Sequence, residues 1–291
     1  MRATSTILYI AIDDLLAGRG AALPVFAEFC GALQRNGTPA VWLSSRTRLQ
    51  LDSLLRKLSH AHPFIAEDGC GIFWPPDYFH LRPEGAAGSR ASRRRTVRMG
   101  RFTCLPVAEP QPATAEMLES LAEDSGIGVV PLRSLTPGEL AMNSGLPTRE
   151  AELARHRDFD ELFFFAGATA AEVERFKQLA AERKSQVREQ GSLQSLAKGA
   201  SIRRCVEELS KLYDRALHGH ARSVALAVEA CADEVVRACD RAIVLTARES
   251  SEHVERSRGR VMEVPIHAED CWERVLEAVA AGVKSGRKSS V

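Results

Sequence analysis

The chain has 291 residues, 45% hydrophobic and 26% charged, which suits one large or two ordinary globular domains and excludes a disordered or fibrous chain. Thirty-nine Lys plus Arg against 38 Asp plus Glu leave a formal charge of +1, so no global field points to nucleic acid or to an anionic membrane. No apolar run approaches the roughly 20 residues of a membrane span, and Met1 to Thr6 is polar without a signal-type stretch. A cytoplasmic protein with neither a membrane nor a nucleic-acid partner is expected.

Thr6 to Ile12 is a continuous apolar run followed by Asp13 and Asp14, the pattern of a strand buried on both faces whose carboxyl end carries the chemistry. Leu23, Phe26, Ala27, Cys30 and Leu33 fall at helical spacing, with Pro24 in the first turn and Asn36-Gly37 as the stop. Ala40 to Leu43 reads as a second strand. Thr47 to Leu58 reads as a helix and Phe64 to Ala66 as a third strand. This alternation predicts a doubly wound α/β fold, a parallel sheet covered by helices, with ligands beyond the strand carboxyl ends.

The segment from Pro83 to Arg101 is rich in Gly, Ser and Arg, with six arginines between Arg90 and Arg101. It reads as a solvated loop or, more sharply, as a flap that recruits anions. Beyond it, Ala115 to Ser125, Ile127 to Val130, Pro147 to His156, Glu161 to Phe165 and Ala168 to Arg183 alternate helix and strand patterns, as in an inserted α+β unit. The doubly wound pattern returns with a helix over Gly199 to Leu217, a strand over Ser223 to Val228, a helix over Asp233 to Cys239, a strand over Arg241 to Leu245 and a closing helix over Asp270 to Val283. The predicted division is a core over 1–82, an inserted cap over 83–187, the rest of the core over 188–285 and a frayed tail over 286–291. The seven cysteines are scattered and never form a C-x-x-C pair, which predicts reduced thiols rather than disulfides or a zinc site.

Three strings carry a family likeness. AALPVFAEFCGALQRNGTPAVWLSSRTRLQLDSL from Ala21, HPFIAEDGCGIFWP from His62, and above all NSGLPTREAELARHRDFDELFFF from Asn143 resemble the mannosyl-3-phosphoglycerate phosphatases. These are haloacid dehalogenase superfamily enzymes with a type-IIB cap. The resemblance implies a Rossmann-like core with an inserted α+β cap. It also implies hydrolysis of a phosphomonoester through a carboxylate nucleophile, an acid two residues later and a magnesium ion that neutralises phosphate oxygens. The superfamily supplies these as D-x-D-G-T after the first strand, Ser or Thr after the second, Lys after the cap, and G-D-x-x-N-D after a later strand.

By this resemblance the first motif is broken. YIAIDDLL sets Ala11 at the nucleophile position and Asp13 at the acid position, while a shifted register makes Asp13 the nucleophile and leaves Leu15 as the acid. Asp13 and Asp14 read equally well as acids that merely cap a strand. Ser44 matches the phosphate-binding hydroxyl, with Ser45 and Arg46 beside it, although a Ser-Ser-Arg-Thr turn is also an ordinary helix start. Lys198 matches the lysine motif, with Ala197 in place of its aspartate; without the family match it is a surface lysine. The fourth motif reads Ala227, Val228, Glu229, Ala230, Cys231, Ala232, which lacks the oxygens magnesium needs. Asp13, Glu229 and Asp233 are the remaining metal candidates. In the cap, Arg157 and Glu161 match an R-x-F-x-E signature that helps shape the substrate pocket, or else form a local ion pair.

Two function classes follow. One is a phospho-sugar binding or regulatory protein that keeps the fold while phosphoaspartyl catalysis is weak or lost, needing no cofactor. The other is a magnesium-dependent phosphatase of a sugar phosphate or phosphoglycerate-type molecule that uses Asp13 as a surrogate nucleophile. A purely structural partner of a sugar-transfer enzyme is a third possibility.

Overall fold

The computed structural model describes residues 5–16, 22–79, 96–229, 232–247 and 260–284. In chain order, β1 (Ser5–Ala11) runs into a single helical turn α1 (Ile12–Asp14), followed by α2 (Leu23–Arg35), β2 (Ala40–Leu43), α3 (Arg48–Lys57) and β3 (Phe64–Ala66). Next come β4 (Gly71–Trp74), β5 (Val97–Met99) and β6 (Phe102–Pro106). The middle of the chain holds α4 (Gln111–Ser125), β7 (Val129–Pro131), α5 (Pro137–Ser144), α6 (Thr148–Ala154), β8 (Glu161–Phe165), α7 (Ala170–Glu182), β9 (Ser185–Gln190) and β10 (Leu193–Lys198). The chain then forms α8 (Ile202–Ala216), β11 (Ala221–Val228), α9 (Ala232–Ala238), β12 (Arg241–Thr246), β13 (Val261–Pro265) and α10 (Cys271–Lys284).

These strands build a nine-stranded sheet in the order β13-β12-β11-β1-β2-β3-β4-β6-β5 and a four-stranded antiparallel sheet in the order β7-β8-β10-β9. From β13 to β3 the large sheet is parallel, as the sequence pattern predicts; β4, β6 and β5 extend it antiparallel. Ile7, Leu8, Tyr9 and Ile10 of β1 are wholly buried because both faces of the strand are covered. Alternation along the strand sends Leu8 and Ile10 into one core with Phe26, Leu51 and Val275, and Ile7 and Tyr9 into the other with Leu209, Tyr213 and Val235. In the small sheet, Phe163 packs with Leu118 and Phe176, and Leu162 packs with Leu140 and Ala151 on the other side.

Two features of the sequence reading change. Strands β5 and β6 fall within 83–187, yet they pair in the large sheet, and β9 and β10 carry the small sheet past residue 187 to Lys198. The reason lies in β6: Phe102, Cys104 and Leu105 are buried against β4, and this short pattern is hidden behind the arginine run. Of the Arg90–Arg101 string, residues 90–95 lie outside the described residues. Arg98 and Arg101 are tied down, Arg98 Nε donating to the Gly100 carbonyl at 2.9 Å and Arg101 Nε to Asp52 at 2.6 Å. The tail over 286–291 also lies outside the described residues.

Candidate functional site

β1 ends between β11 and β2, with Ala11 beside Leu43 in the register, and the carboxyl ends of these strands open onto a cavity of about 220 Å³. This is the place where a doubly wound sheet binds its ligands. Ala11, Asp13, Ser44, Asp68, Arg188 and Glu234 are among the residues that line it. Ala11 contributes only a methyl group.

Asp13, in the turn after β1, reaches across to the turn after β2. Its Oδ1 accepts from the Ser44 hydroxyl at 2.6 Å, and its Oδ2 accepts from the Ser45 backbone N–H at 2.7 Å and the Ser45 hydroxyl at 2.8 Å. Arg46 Nε lies 3.6 Å from Oδ1. The Arg46 N–H in turn donates to Ser44 Oγ at 3.0 Å, which fixes the direction of the Ser44 proton toward Asp13. Thr47 then N-caps α3 through a reciprocal box with Gln50, both hydrogen bonds at 3.1 Å, so the turn is rigid. Three converging donors and a guanidinium form a cradle for an oxyanion, and the oxyanion it holds is the Asp13 carboxylate.

The far wall is acidic. Asp68, in a left-handed conformation with φ 51°, accepts from Gln190 Nε2 at 2.7 Å. Burial, and next the charge of Asp13, push its carboxyl up to about 6. Arg188 brings the guanidinium of β9 to this wall: Nη1 donates to the Asp68 carbonyl at 2.6 Å, and Nη2 donates to Gln186 at 2.9 Å and to Glu234 at 3.4 Å. One buried oxygen of Asp14 has no hydrogen-bond partner.

The small sheet is pinned to this pole of the core by Glu67. Its carboxylate is wholly buried and accepts from three successive backbone N–H groups, those of Asp158 at 2.9 Å, Phe159 at 2.9 Å and Asp160 at 3.1 Å. Burial pushes the Glu67 carboxyl up, against the pull of Arg157. Arg157 Nη2 donates to the Ser45 carbonyl at 2.9 Å and to Asp160 at 2.6 Å, and Ser195 Oγ donates to Asp160 at 2.7 Å. Arg48 Nε donates to Asp158 at 2.9 Å.

The residues singled out in the sequence therefore separate. Asp13, Ser44, Ser45 and Arg46 come together. Arg157 and Glu161 do not pair: Arg157 is taken by Asp160, and Glu161, at the start of β8, by Gln111 and by Arg133 at 3.1 Å. Neither lines the cavity. Lys198 also stands outside it, 2.9 Å from Glu109, whose backbone N–H donates to the Lys198 carbonyl at 2.9 Å. The two strands of chain that cross between the sheets are thus tied to each other. Glu229 is not among the lining residues, and the side chain of Asp233 lies outside the described residues.

Magnesium takes near-octahedral oxygen ligation. The described residues do not fit it: Ala11 and Val228 offer no side-chain oxygen, and both Asp13 oxygens are engaged by hydrogen-bond donors. Among the described residues no group of three His, Cys, Asp or Glu side chains converges to hold a metal ion. Asp68, Arg188, Glu67 and Glu234 were missed by the sequence reading; the E-D-G string at Glu67 was the one available signal, and it entered only as part of a family match.

The fold is that of the haloacid dehalogenase-like hydrolases with a cap. A haloacid dehalogenase-like hydrolase from Bacteroides thetaiotaomicron superposes with a TM-score of 0.57 at 12% identity, covering 96% of this chain and 99% of that one. A subclass IIB sugar phosphatase of the same superfamily gives 0.56 at 13% identity, covering 96% and 100%. In sequence the chain resembles the mannosyl-3-phosphoglycerate phosphatases. It is 25% identical over 131 residues to the glucosyl-3-phosphoglycerate/mannosyl-3-phosphoglycerate phosphatase of Methanococcoides burtonii, covering 45% of this chain and 44% of that protein. It is 26% identical over 143 residues to the mannosyl-3-phosphoglycerate phosphatase of Pyrococcus furiosus, covering 49% and 52%. The chain spans about half the length of these curated relatives in the match. No protein-family model matches it.

Proposed function

We propose that this chain is a sugar-phosphatase-like protein that binds a phosphorylated sugar or phosphoglycerate-type molecule at the carboxyl end of β1, with phosphoaspartyl catalysis weak or lost. A cytoplasmic location and a cap lying between Glu109 and Lys198 are part of the same proposal. Among the described residues no helix is long and apolar enough to cross a membrane. The observation that carries the reading is the pair Ala11 and Asp13: the strand end has no carboxylate, and the acid two residues on, Asp13, is spent on Ser44 and Ser45. A covalent phosphoenzyme needs a free carboxylate oxygen to attack phosphorus. Held by three donors, Asp13 is a poor nucleophile.

The test is a steady-state assay with mannosyl-3-phosphoglycerate and a generic phosphomonoester, with and without magnesium, beside thermal unfolding with the same ligands. Stabilisation by the phosphorylated sugar without turnover is expected. Magnesium-dependent turnover that Asp13→Asn abolishes would instead establish a working phosphatase with Asp13 as its nucleophile.

A further inference from the structure

The donors at Ser44, Ser45 and Arg46 make a complete oxyanion cradle, and the chain fills it from within. We infer that Asp13 is a built-in occupant of this cradle, so that a phosphate group engages Ser44 and Ser45 only by displacing the Asp13 carboxylate. The inference rests on the reading above that the cavity takes a phosphorylated ligand, and adds to it a self-occupied state of the same site.

The hydrogen-bond accounting requires displacement rather than sharing. Ser44 has one hydroxyl proton, and it goes to Asp13 at 2.6 Å while its lone pair takes the Arg46 N–H at 3.0 Å. The Ser45 N–H and hydroxyl are both spent on Asp13 Oδ2, at 2.7 and 2.8 Å. A second anion in contact with Ser44 and Ser45 finds no free donor on either residue and meets the Asp13 charge. Displacement has room to occur, because Asp13 and Ser44 both line the cavity and Ala11 narrows it by only a methyl group.

Isothermal titration with inorganic phosphate tests this on the full chain, comparing wild type, Asp13→Ala, Asp13→Asn and the double variant Asp13→Ala with Ser44→Ala. Asp13→Ala is expected to bind phosphate at least tenfold more tightly than wild type, and the added Ser44→Ala change is expected to cancel the gain. Asp13→Asn, which keeps the volume but removes the charge, is expected to shift in the same direction by less, and decides the matter if the alanine variant does not fold. Equal phosphate affinity in wild type and the Asp13 variants overturns the inference, as does a gain that survives loss of Ser44. A parallel titration with mannosyl-3-phosphoglycerate separates the two proposals. Equal binding to wild type and variants removes only the self-occupied state, and binding to none of them removes the function reading.

Discussion

Ser44 donates its hydroxyl proton to Asp13 at 2.6 Å, across 31 residues of sequence and between two adjacent parallel strands. The contact joins the turn after β1 to the turn after β2, the two loops that a doubly wound sheet uses for chemistry. In this chain the contact closes a circuit within the protein. The cavity wall also includes Ala11 and the acids Asp14, Asp68, Glu189 and Glu234, with Arg188 as the cation from the small sheet.

Restoring a carboxylate at the strand end is expected to fail as a repair. Ala11→Asp places a further negative charge beside Asp13, Asp14 and Asp68 without adding oxygens at Val228. The variant is expected to lose about 1–3 kcal/mol of stability, the usual range for crowding like charges at a part-buried site. Its phosphatase turnover with magnesium is expected to stay at the wild-type level. Urea unfolding and a phosphate-release assay check the two parts, and magnesium-dependent turnover in this variant would contradict the account of lost catalysis.

Asp68 makes stability depend on pH in a direction opposite to the common one for acids. Its folded carboxyl stands at about 6, above the ordinary value of 3.8. Between those values the folded chain holds a proton that the unfolded chain has released, so stability falls as pH rises through this window and stays lower above it. Asp68→Asn removes that dependence. Asparagine also tolerates the φ of 51° and keeps an oxygen for Gln190, so the variant is expected to be more stable at pH 7 by on the order of 1–3 kcal/mol. Thermal unfolding of both proteins at pH 4 and pH 7 measures it; a gain no larger at pH 7 than at pH 4 contradicts it.

How far the sequence could be read depended on whether a signal was local. β1 was legible because Thr6 to Ile12 is continuously apolar, and Ser44 because it follows the equally apolar Ala40 to Leu43. The hairpin of β9 and β10 was not, since Ser185 to Gln190 reads SQVREQ and buries little beyond its first residue. Side-chain partners were the least legible. Arg157 has acids at positions 158, 160 and 161, and only the start of β8 decides among them: Glu161 enters the strand and turns to Arg133, while Asp160, just before it, turns back to Arg157.

Lys198 gives a sharp contrast between likeness and geometry. The family pattern makes it a charge-balancing residue of the site, whereas here it pairs with Glu109 at 2.9 Å, both side chains a third or more exposed. An exposed pair of this kind contributes about 0–1 kcal/mol. Lys198→Ala is therefore expected to leave stability within about 1 kcal/mol of wild type and to leave binding of a phosphorylated sugar unchanged. A loss of ligand-induced thermal stabilisation in this variant would bring Lys198 back into the site.

Glu67 is where the position of the small sheet over the cavity is decided. Its carboxylate is wholly buried and satisfies the N–H groups of Asp158, Phe159 and Asp160, the segment that leads into β8 and carries the partners of Arg48 and Arg157. Glu67→Ala orphans three buried N–H groups, a change expected to cost about 3–5 kcal/mol. Glu67→Gln keeps one carbonyl oxygen, which can still accept part of the set, and is expected to cost about 1–3 kcal/mol. Both variants keep the same positive φ at position 67, 53° in the wild type, so the difference between them reads the amide bonds rather than backbone strain. Hydrogen exchange adds the local test: the amides of residues 158–160 are expected to exchange faster in Glu67→Gln than in wild type and faster still in Glu67→Ala, while those of β11 follow global stability alone. Unchanged protection at 158–160 in both variants would mean that the small sheet is held by Arg157 and Arg48 without Glu67.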